Sequence, residues 1–185
     1  MNQIEVIDDF LPNPHLARSK GMRAKFEDRT LQDGQLYKRI AETLLPEVVD
    51  ALNEHMGRPI SLLGMGFRLN YDGEPPNTDI HTDQGWGKYA LVLGLSRDED
   101  WRGGTAFWTH NATGADRIRP GDVGTIKAVQ PDWNKPDAWH LDQVVDGKFN
   151  RALIYRSELF HSRWPFTAFG STPEDGRLVL VAFFN

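Results

Sequence analysis

The chain of 185 residues contains no cysteine. Disulfide bonds, thiolate metal sites and cysteine nucleophiles are therefore excluded, and nothing in the composition favours an oxidising compartment. Long apolar runs are missing as well. No segment approaches the roughly 18 apolar residues of a membrane span, and the first residues lack the basic start and apolar stretch of a secretion signal. We expect a cytoplasmic protein with no membrane partner.

An excess of positive charge is also absent. The chain has 21 Lys and Arg against 26 Asp and Glu, a formal net charge of −5, and the two signs are interspersed. Nucleic-acid partners require a basic stripe, so we expect a small-molecule or peptide substrate and no nucleic acid. With 39% hydrophobic and 11% aromatic residues the chain can build one core. We expect a single domain over residues 1–185, whose oligomeric state the sequence leaves open.

The first third of the chain has helical periodicity. Asn13 before Pro14 is an N-cap followed by proline at the first helical position. A second helix is predicted over residues 36–56, where Pro46 splits or kinks it. The apolar positions that recur at helical spacing in the two segments are Leu16, Met22 and Phe26, then Ile40, Leu44, Val48 and Leu52. Residues 1–57 are thus expected to supply an opening strand and supporting helices.

Residues 58–185 change to short β-type runs separated by turn residues. The predicted strands are 61–71, 79–82, 88–95, 105–110, 124–129, 151–155 and 177–184. Many short strands with few helices between them favour a sandwich or jelly roll over a parallel sheet. The predicted fold class is mainly β (α+β), with N-terminal helices packed on one sheet of a jelly-roll core.

The motif His81-Thr82-Asp83 lies at the end of one predicted strand. Residues i and i+2 of a strand point to the same face, so His81 and Asp83 can aim at one point. His161 would join them from a strand across the barrel. Two imidazoles and one carboxylate on one face of a ferrous ion leave positions open for a co-substrate and O2. A His-x-Asp tripeptide also occurs by chance, so the metal site depends on the surrounding pattern.

Arg177 opens the last apolar run of the sequence. Its planar guanidinium can hold a carboxylate with two parallel hydrogen bonds. An arginine that points into an apolar barrel is costly unless an anion pairs with it, which favours a bound dicarboxylate. The alternative is a solvated turn in which Arg177 pairs with Glu174 or Asp175.

The order of these sequence motifs resembles that of the 2-oxoglutarate- and Fe(II)-dependent oxygenase superfamily, and it is most similar to that of the prolyl-hydroxylase-like branch. The resemblance extends from Asn70-Tyr71 through the Gly103-Gly104 strand to His161 and Arg177. It covers residues 60–185, with a weaker likeness at 6–14. It implies a double-stranded β-helix in which His81, Asp83 and His161 bind iron. Arg177 would grip the distal carboxylate of 2-oxoglutarate, and Asn70 and Tyr71 would hydrogen-bond the same molecule.

The implied activity is hydroxylation of an amino acid, a peptide or a small metabolite. Fe(II), 2-oxoglutarate and O2 would be required, succinate and CO2 released, and ascorbate is a candidate reductant. Residues 126–144 are longer and more polar than the tight turn often found there, so the substrate is not carried over. Two alternatives stay open. One is a cupin-type metalloenzyme that does not use 2-oxoglutarate, with a structural Arg177, and the other is a non-catalytic metal- or ligand-binding sensor.

The remaining histidines and an aromatic loop are weaker candidates. His15 and His55 fall on predicted helices and are expected at the surface or at helix ends. His110 is expected to end a strand. The loop around Trp133, Trp139 and His140 is either a binding surface or a cover packed on the barrel, and Tyr71 could equally be a core aromatic.

Overall fold

The computed structural model describes residues 3–30, 36–71 and 80–185. Its strands are β1 (Ile4–Ile7), β2 (Glu27–Thr30), β3 (Leu36–Glu42), β4 (Leu62–Asn70), β5 (Tyr89–Gly94), β6 (Gly104–His110), β7 (Trp139–Asp146), β8 (Ala152–Arg156), β9 (His161–Trp164) and β10 (Arg177–Phe184). Its α-helices are α1 (Pro14–Met22), α2 (Pro46–Met56) and α3 (Val123–Val129), and single 3-10 turns lie at Asp98–Asp100 and Pro136–Ala138.

The strands form two antiparallel sheets. One has seven strands in the order β1-β8-β5-β10-β4-β3-β2, and the other has the order β7-β6-β9. This arrangement confirms the predicted mainly β, jelly-roll fold. The N-terminal strands share the larger sheet with the later ones, since β1 pairs with β8 and β3 pairs with β4.

Side chains of the larger sheet alternate between two environments. Leu178 and Leu180 of β10 belong to a buried cluster that also contains Val48 and Leu52 of α2, so this face packs on the helices. Val179, which lies between Leu178 and Leu180 in the strand, therefore points to the opposite face, which is the interior between the two sheets. This alternation decides which side chains can reach a site inside the barrel.

Helix α1 begins as predicted, and the apolar face predicted for this segment is buried in part. The Asn13 side chain accepts a hydrogen bond from the Leu16 amide at 3.4 Å, yet the Leu16 side chain is 44% exposed. Met22 and Phe26 of that face are partly buried against the main apolar cluster, and Ala17 and Gly21 are the buried residues of the helix. A Cβ on Gly21 would lie 3.1 Å from Phe67 and from Leu178, so a larger residue would push the helix off the sheet.

The predicted helix over 36–56 is wrong in its first half. Residues 36–42 form strand β3, which pairs with β4 from Ile40↔Arg68 to Glu42↔Gly66. Leu44, assigned to the helical face, is 62% exposed. The helix begins only at Pro46, where proline fits the first helical position because no amide hydrogen is needed there.

The predicted strand over 124–129 is also wrong, because this segment is helix α3. The Asp122 side chain caps it by accepting hydrogen bonds from the amide and the hydroxyl of Thr125. Ile126 and Val129, three residues apart, pack into one apolar cluster. Local capping and helical spacing therefore prevail over the β-branched composition of the segment.

The segment predicted as strand 79–82 contains only one isolated bridge, between His81 and His161. Asp79 lies outside the described residues. Among the helices of the described ranges, none is both long and apolar enough to cross a bilayer.

Candidate metal centre

The backbones of His81 and His161 pair with each other. The His81 amide donates to the His161 carbonyl at 3.1 Å, and the His161 amide donates to the His81 carbonyl at 2.9 Å. Their rings lie 4.5 Å apart between centroids. The structure thus brings the two predicted ligands together, but as direct neighbours rather than from across the barrel as the sequence had suggested.

Asp83 is held by a turn rather than by a strand. Its amide donates to the Ser157 carbonyl at 2.7 Å, and its carbonyl accepts from the Trp86 amide at 2.9 Å. The carboxylate lies between the two histidines. Its Oδ1 is 3.6 Å from Nε2 of His81, and its Oδ2 is 3.2 Å from Nε2 of His161.

The three side chains can hold a metal ion. One ligand atom from each of His81, Asp83 and His161 lies within 4.8 Å of the others. His161 is oriented for this role because its Nδ1 lies 3.0 Å from the Leu159 carbonyl. A carbonyl only accepts, so Nδ1 carries a proton, and Nε2 would present its lone pair to a metal ion once the ring is neutral. Two imidazole nitrogens and a carboxylate oxygen suit a divalent transition metal.

The electrostatics favour an ionised Asp83. Burial alone would raise the pKa of its carboxyl group. The charge and hydrogen bond of His161, the charge of His81 and a hydrogen bond from Tyr155 outweigh that effect and lower the pKa to about 2. The carboxylate is therefore ready to bind a cation at any physiological pH.

Tyr155 is a site residue that the sequence reasoning missed. Its hydroxyl donates to Oδ2 of Asp83 at 3.0 Å and also lies 3.0 Å from Nε2 of His161. Burial, with the Asp83 charge in second place, raises the pKa of this hydroxyl well above its usual value. One signal was available: in the predicted strand 151–155, Tyr155 is the polar residue that alternation places on the face opposite Ile154.

Arg177 is buried at the start of β10, with 6% of its surface exposed. It lies directly opposite Asn70 of β4, which is 2% exposed, so both side chains point to the same face of the sheet. That face is the barrel interior, because Leu178 and Leu69 face the helices. A solvated turn, the alternative interpretation of Arg177, is inconsistent with this burial. The Asp175 carboxylate accepts hydrogen bonds from the amides of Ser171 and Thr172.

A small cavity of about 20 Å³ lies beside Arg177. Val92, Thr105 and Leu153 line it together with the guanidinium. The charge of Arg177 also acts on the Tyr155 hydroxyl, where it opposes the rise in pKa. The cavity has room for about one water molecule, so a dicarboxylate beside Arg177 would need more space than this cavity offers.

Tyr71 lies apart from this interior. It packs against the helix-side cluster, and the Arg39 guanidinium lies 3.8 Å from the centre of its ring. The structure therefore places Asn70 beside Arg177 but turns Tyr71 towards the opposite face of the sheet. A contact of Tyr71 with 2-oxoglutarate stays a prediction.

His15, His55 and His110 each contact a nearby side chain outside the candidate metal centre. Nε2 of His55 lies 2.8 Å from Oε2 of Glu5, and the His15 ring packs beside that of Phe149. His110 is 1% exposed, with its ring nitrogens 3.0 Å from the Thr113 hydroxyl and 3.3 Å from Asp132.

The aromatic loop covers the smaller sheet. Trp139 is buried, its indole donates to the Asp132 carbonyl at 2.9 Å, and its ring meets Phe160 edge-on. Trp133 packs against the same cluster, whereas His140 is exposed. Of the two interpretations that the sequence left open, the structure supports the cover packed on the barrel.

Several solved structures have a similar fold at low sequence identity. AviO1 from Streptomyces viridochromogenes is 12% identical, with a TM-score of 0.62, over 99% of this chain and 89% of that one. SnoK, a non-haem α-ketoglutarate-dependent carbocyclase from nogalamycin biosynthesis, is 12% identical, with a TM-score of 0.60, over 98% and 79%. EctD from S. alaskensis with bound Fe is 10% identical, with a TM-score of 0.57, over 100% and 73%. At these identities the likeness shows the fold.

A comparison with curated proteins finds no relative of this sequence. A family profile does match, over residues 75–184, which is more than half of the chain and includes all three candidate metal ligands. The chain therefore belongs to the family of unknown function DUF6445.

Proposed function

We propose that the chain is one Fe(II)- and 2-oxoglutarate-dependent oxygenase domain, most similar in its motifs to the prolyl-hydroxylase-like branch. The observation that carries the proposal is the convergence of His81, Asp83 and His161 at one point of the barrel interior, together with the burial of Arg177 on the wall of that same interior. Neither feature is needed by a jelly roll that only has to fold.

The donor set fits a ferrous ion. His81 and His161 would each bind through Nε2, and Asp83 through a carboxylate oxygen. The Leu159 carbonyl fixes the His161 tautomer, and the His81–His161 backbone pair fixes the spacing of the two rings. Three protein ligands leave three positions of an octahedral ion for other molecules.

Arg177 and Asn70 would hold the co-substrate. A guanidinium matches a carboxylate with two charge-assisted hydrogen bonds, and an amide beside it can add a third. Val92 and Leu153 supply apolar walls to the cavity next to Arg177. These walls would exclude water, and the lower local dielectric would strengthen the ion pair between Arg177 and the carboxylate.

When bound, iron with O2 would supply the oxidising power for a reaction in which 2-oxoglutarate becomes succinate and CO2 while a substrate C–H becomes C–OH. One oxygen atom ends in succinate and the other in the substrate, so the atoms balance. The protein's own part is to orient the keto acid through Arg177 and to keep the centre dry. Phe107, which packs edge-on against Tyr155, closes the interior beside His161.

An amino acid, a peptide or a small metabolite is the proposed substrate class. Two solved neighbours act in small-molecule chemistry by their descriptions: SnoK belongs to nogalamycin biosynthesis, and EctD has been solved with 2-oxoglutarate and 5-hydroxyectoine. These descriptions support a small substrate without identifying it.

The direct test is turnover of 2-oxoglutarate labelled at the carboxyl group next to the ketone. The purified protein would be incubated with Fe(II), ascorbate and the labelled keto acid against a library of metabolites and peptides. We expect labelled CO2 and succinate in equal amounts, increased by a true substrate. His161→Ala should release neither.

The outcomes separate the alternatives. Metal binding and oxidation of a library compound without succinate would indicate a cupin-type metalloenzyme that does not use 2-oxoglutarate. Metal or ligand binding with no turnover of any compound would indicate a sensor. Either result would contradict the proposal.

A further inference from the structure

Tyr155 contacts two of the three candidate ligands at once. Its hydroxyl is 3.0 Å from Oδ2 of Asp83 and 3.0 Å from Nε2 of His161, and only 2% of the residue is exposed. The ring is held in place by Phe107 edge-on at 5.4 Å and by the His161 ring at 4.7 Å. The hydroxyl is therefore a fixed part of the centre.

A phenol has one proton, and here it faces two acceptors. Nδ1 of His161 carries a proton because it faces the Leu159 carbonyl, so Nε2 accepts when the ring is neutral and donates when the ring is charged. Once Nε2 binds a metal ion, its lone pair is no longer available to the phenol. The proton then has one remaining acceptor, Oδ2 of Asp83.

The two carboxylate oxygens of Asp83 differ accordingly. Oδ2 receives the hydroxyl of Tyr155, whereas Oδ1 is turned towards Nε2 of His81 at 3.6 Å. A carboxylate oxygen that accepts a strong hydrogen bond is a poorer metal ligand than its partner oxygen. The arrangement favours binding through Oδ1 alone.

We propose that Tyr155 is a positioning residue of the metal centre, whose hydroxyl engages Oδ2 of Asp83 and restricts the carboxylate to one-oxygen ligation. The inference rests on the proposed function only in taking His81, Asp83 and His161 as the ligands. The proposal sets the number of coordination positions that the protein occupies on the ion. Two histidines and a bidentate carboxylate would occupy four positions of an octahedral ion, and a chelating keto acid would fill the last two. One-oxygen ligation by Asp83 keeps one position open for O2.

The test compares Tyr155→Phe with the parent chain, both loaded with Co(II), which reports its coordination by visible absorption. Phenylalanine keeps the ring and removes only the hydroxyl. The matched control is Tyr89→Phe, a buried tyrosine on the neighbouring strand β5, which faces the helices. Thermal unfolding of the metal-free proteins would verify that all three fold.

We expect Tyr155→Phe to bind one Co(II) per chain and to keep its affinity for 2-oxoglutarate in calorimetry, because four protein positions still leave two for a chelating keto acid. Its visible spectrum should differ from that of the parent, because Asp83 would bind through both oxygens. Tyr89→Phe should match the parent in all three. A visible spectrum of Co(II)-loaded Tyr155→Phe identical to that of the parent would overturn the proposal. A tyrosinate-to-iron absorption band in the Fe(III)-loaded parent, absent from Tyr155→Phe, would also overturn it, because the hydroxyl would then be a ligand itself.

A crystal structure of the Co(II)-loaded parent gives a result that does not depend on the variant folding. Asp83 bound through Oδ1, with Tyr155 within hydrogen-bond distance of Oδ2, is expected, and bidentate Asp83 refutes the inference. If the parent binds Co(II) but not 2-oxoglutarate, the proposed co-substrate is wrong, while the spectrum and the crystal structure still decide the role of Tyr155. If the parent binds no metal, both proposals fail.

Discussion

His81 and His161 exchange two backbone hydrogen bonds, of 3.1 and 2.9 Å, so the two imidazoles project from one antiparallel backbone bridge. The main chain rather than the side chains therefore sets the spacing of the ligands. Truncating one imidazole should leave the other in place.

We accordingly expect His161→Ala to fold like the parent and to lose most of its affinity for Fe(II) or Co(II), because one of three protein ligands is gone. Calorimetric titration under anaerobic conditions measures this directly. His110→Ala is not a suitable control because that histidine is buried, but His140→Ala removes an exposed imidazole outside the centre and should bind metal normally. Equal affinity and stoichiometry in His161→Ala and the parent would rule out His161 as a ligand.

Arg177→Ala should weaken binding of 2-oxoglutarate strongly while metal affinity stays unchanged. Truncating one partner of a buried charge pair costs about 2 to 5 kcal/mol, which is at least a thirtyfold rise in the dissociation constant at the lower limit. Arg177→Lys should recover only part of the loss, since an ammonium cannot form the two parallel bonds. The keto-acid titration would be made on Co(II)-loaded protein, and parent-like affinity in Arg177→Ala would show that the distal carboxylate is held elsewhere.

Leu180→Ala tests the contact of the larger sheet with the helices. Leu180 is fully buried in the helix-side cluster at the middle of β10. Removing its side chain should lower the free energy of unfolding by about 2 to 5 kcal/mol. Leu44→Ala is the matched control, because Leu44 is 62% exposed and its loss should change stability by about 0.5 kcal/mol or less. Urea unfolding of both variants gives the comparison, and similar losses would mean that Leu180 is not part of the core.

Asp8 should make stability depend on acid pH. Hydrogen bonds from Arg151, and in second place from Lys148, lower the pKa of its carboxyl group from 3.8 to about 2. A folded-state pKa below the unfolded value contributes stability above about pH 4, and this contribution is lost as the pH falls towards 2. Asp8→Asn should therefore be less stable than the parent at pH 6, with the difference shrinking as the pH falls through that window. Unfolding midpoints from pH 6 to pH 2 would check it, and a difference that grows with acidity would contradict the assigned pairing.

The candidate ligands His81, Asp83 and His161 could be chosen from the sequence because imidazole and carboxylate are distinctive ligand types. A histidine and an aspartate two residues apart also occur by chance, so the choice depended on the distant histidine and on the surrounding strand pattern. Their mutual placement was not predictable. Strand register decides that His161 pairs with His81, and no local signal reports the register of a pairing between positions so far apart in sequence.

One misassigned segment and one overlooked residue show where local patterns fail. Ile40 and Leu44 have the four-residue spacing of a helix face, yet residues 36–42 are extended because β4 offers them an edge to pair with. Tyr155 was overlooked for a different reason. A tyrosine in an apolar strand has the same sequence signature whether its hydroxyl meets solvent, the core or a metal ligand.

Strand β10 lies between β4 and β5 in the larger sheet, although it follows both in the chain. During synthesis these two strands emerge from the ribosome without the partner that joins them. Arg177 is the first residue of that late strand, so the side of the barrel that Arg177 forms cannot exist before β10 is inserted. Insertion closes long loops, which is slow. Nascent chains should consequently pass through a state with an open sheet and exposed strand edges, and newly made protein should depend on chaperones until its last strand is in place.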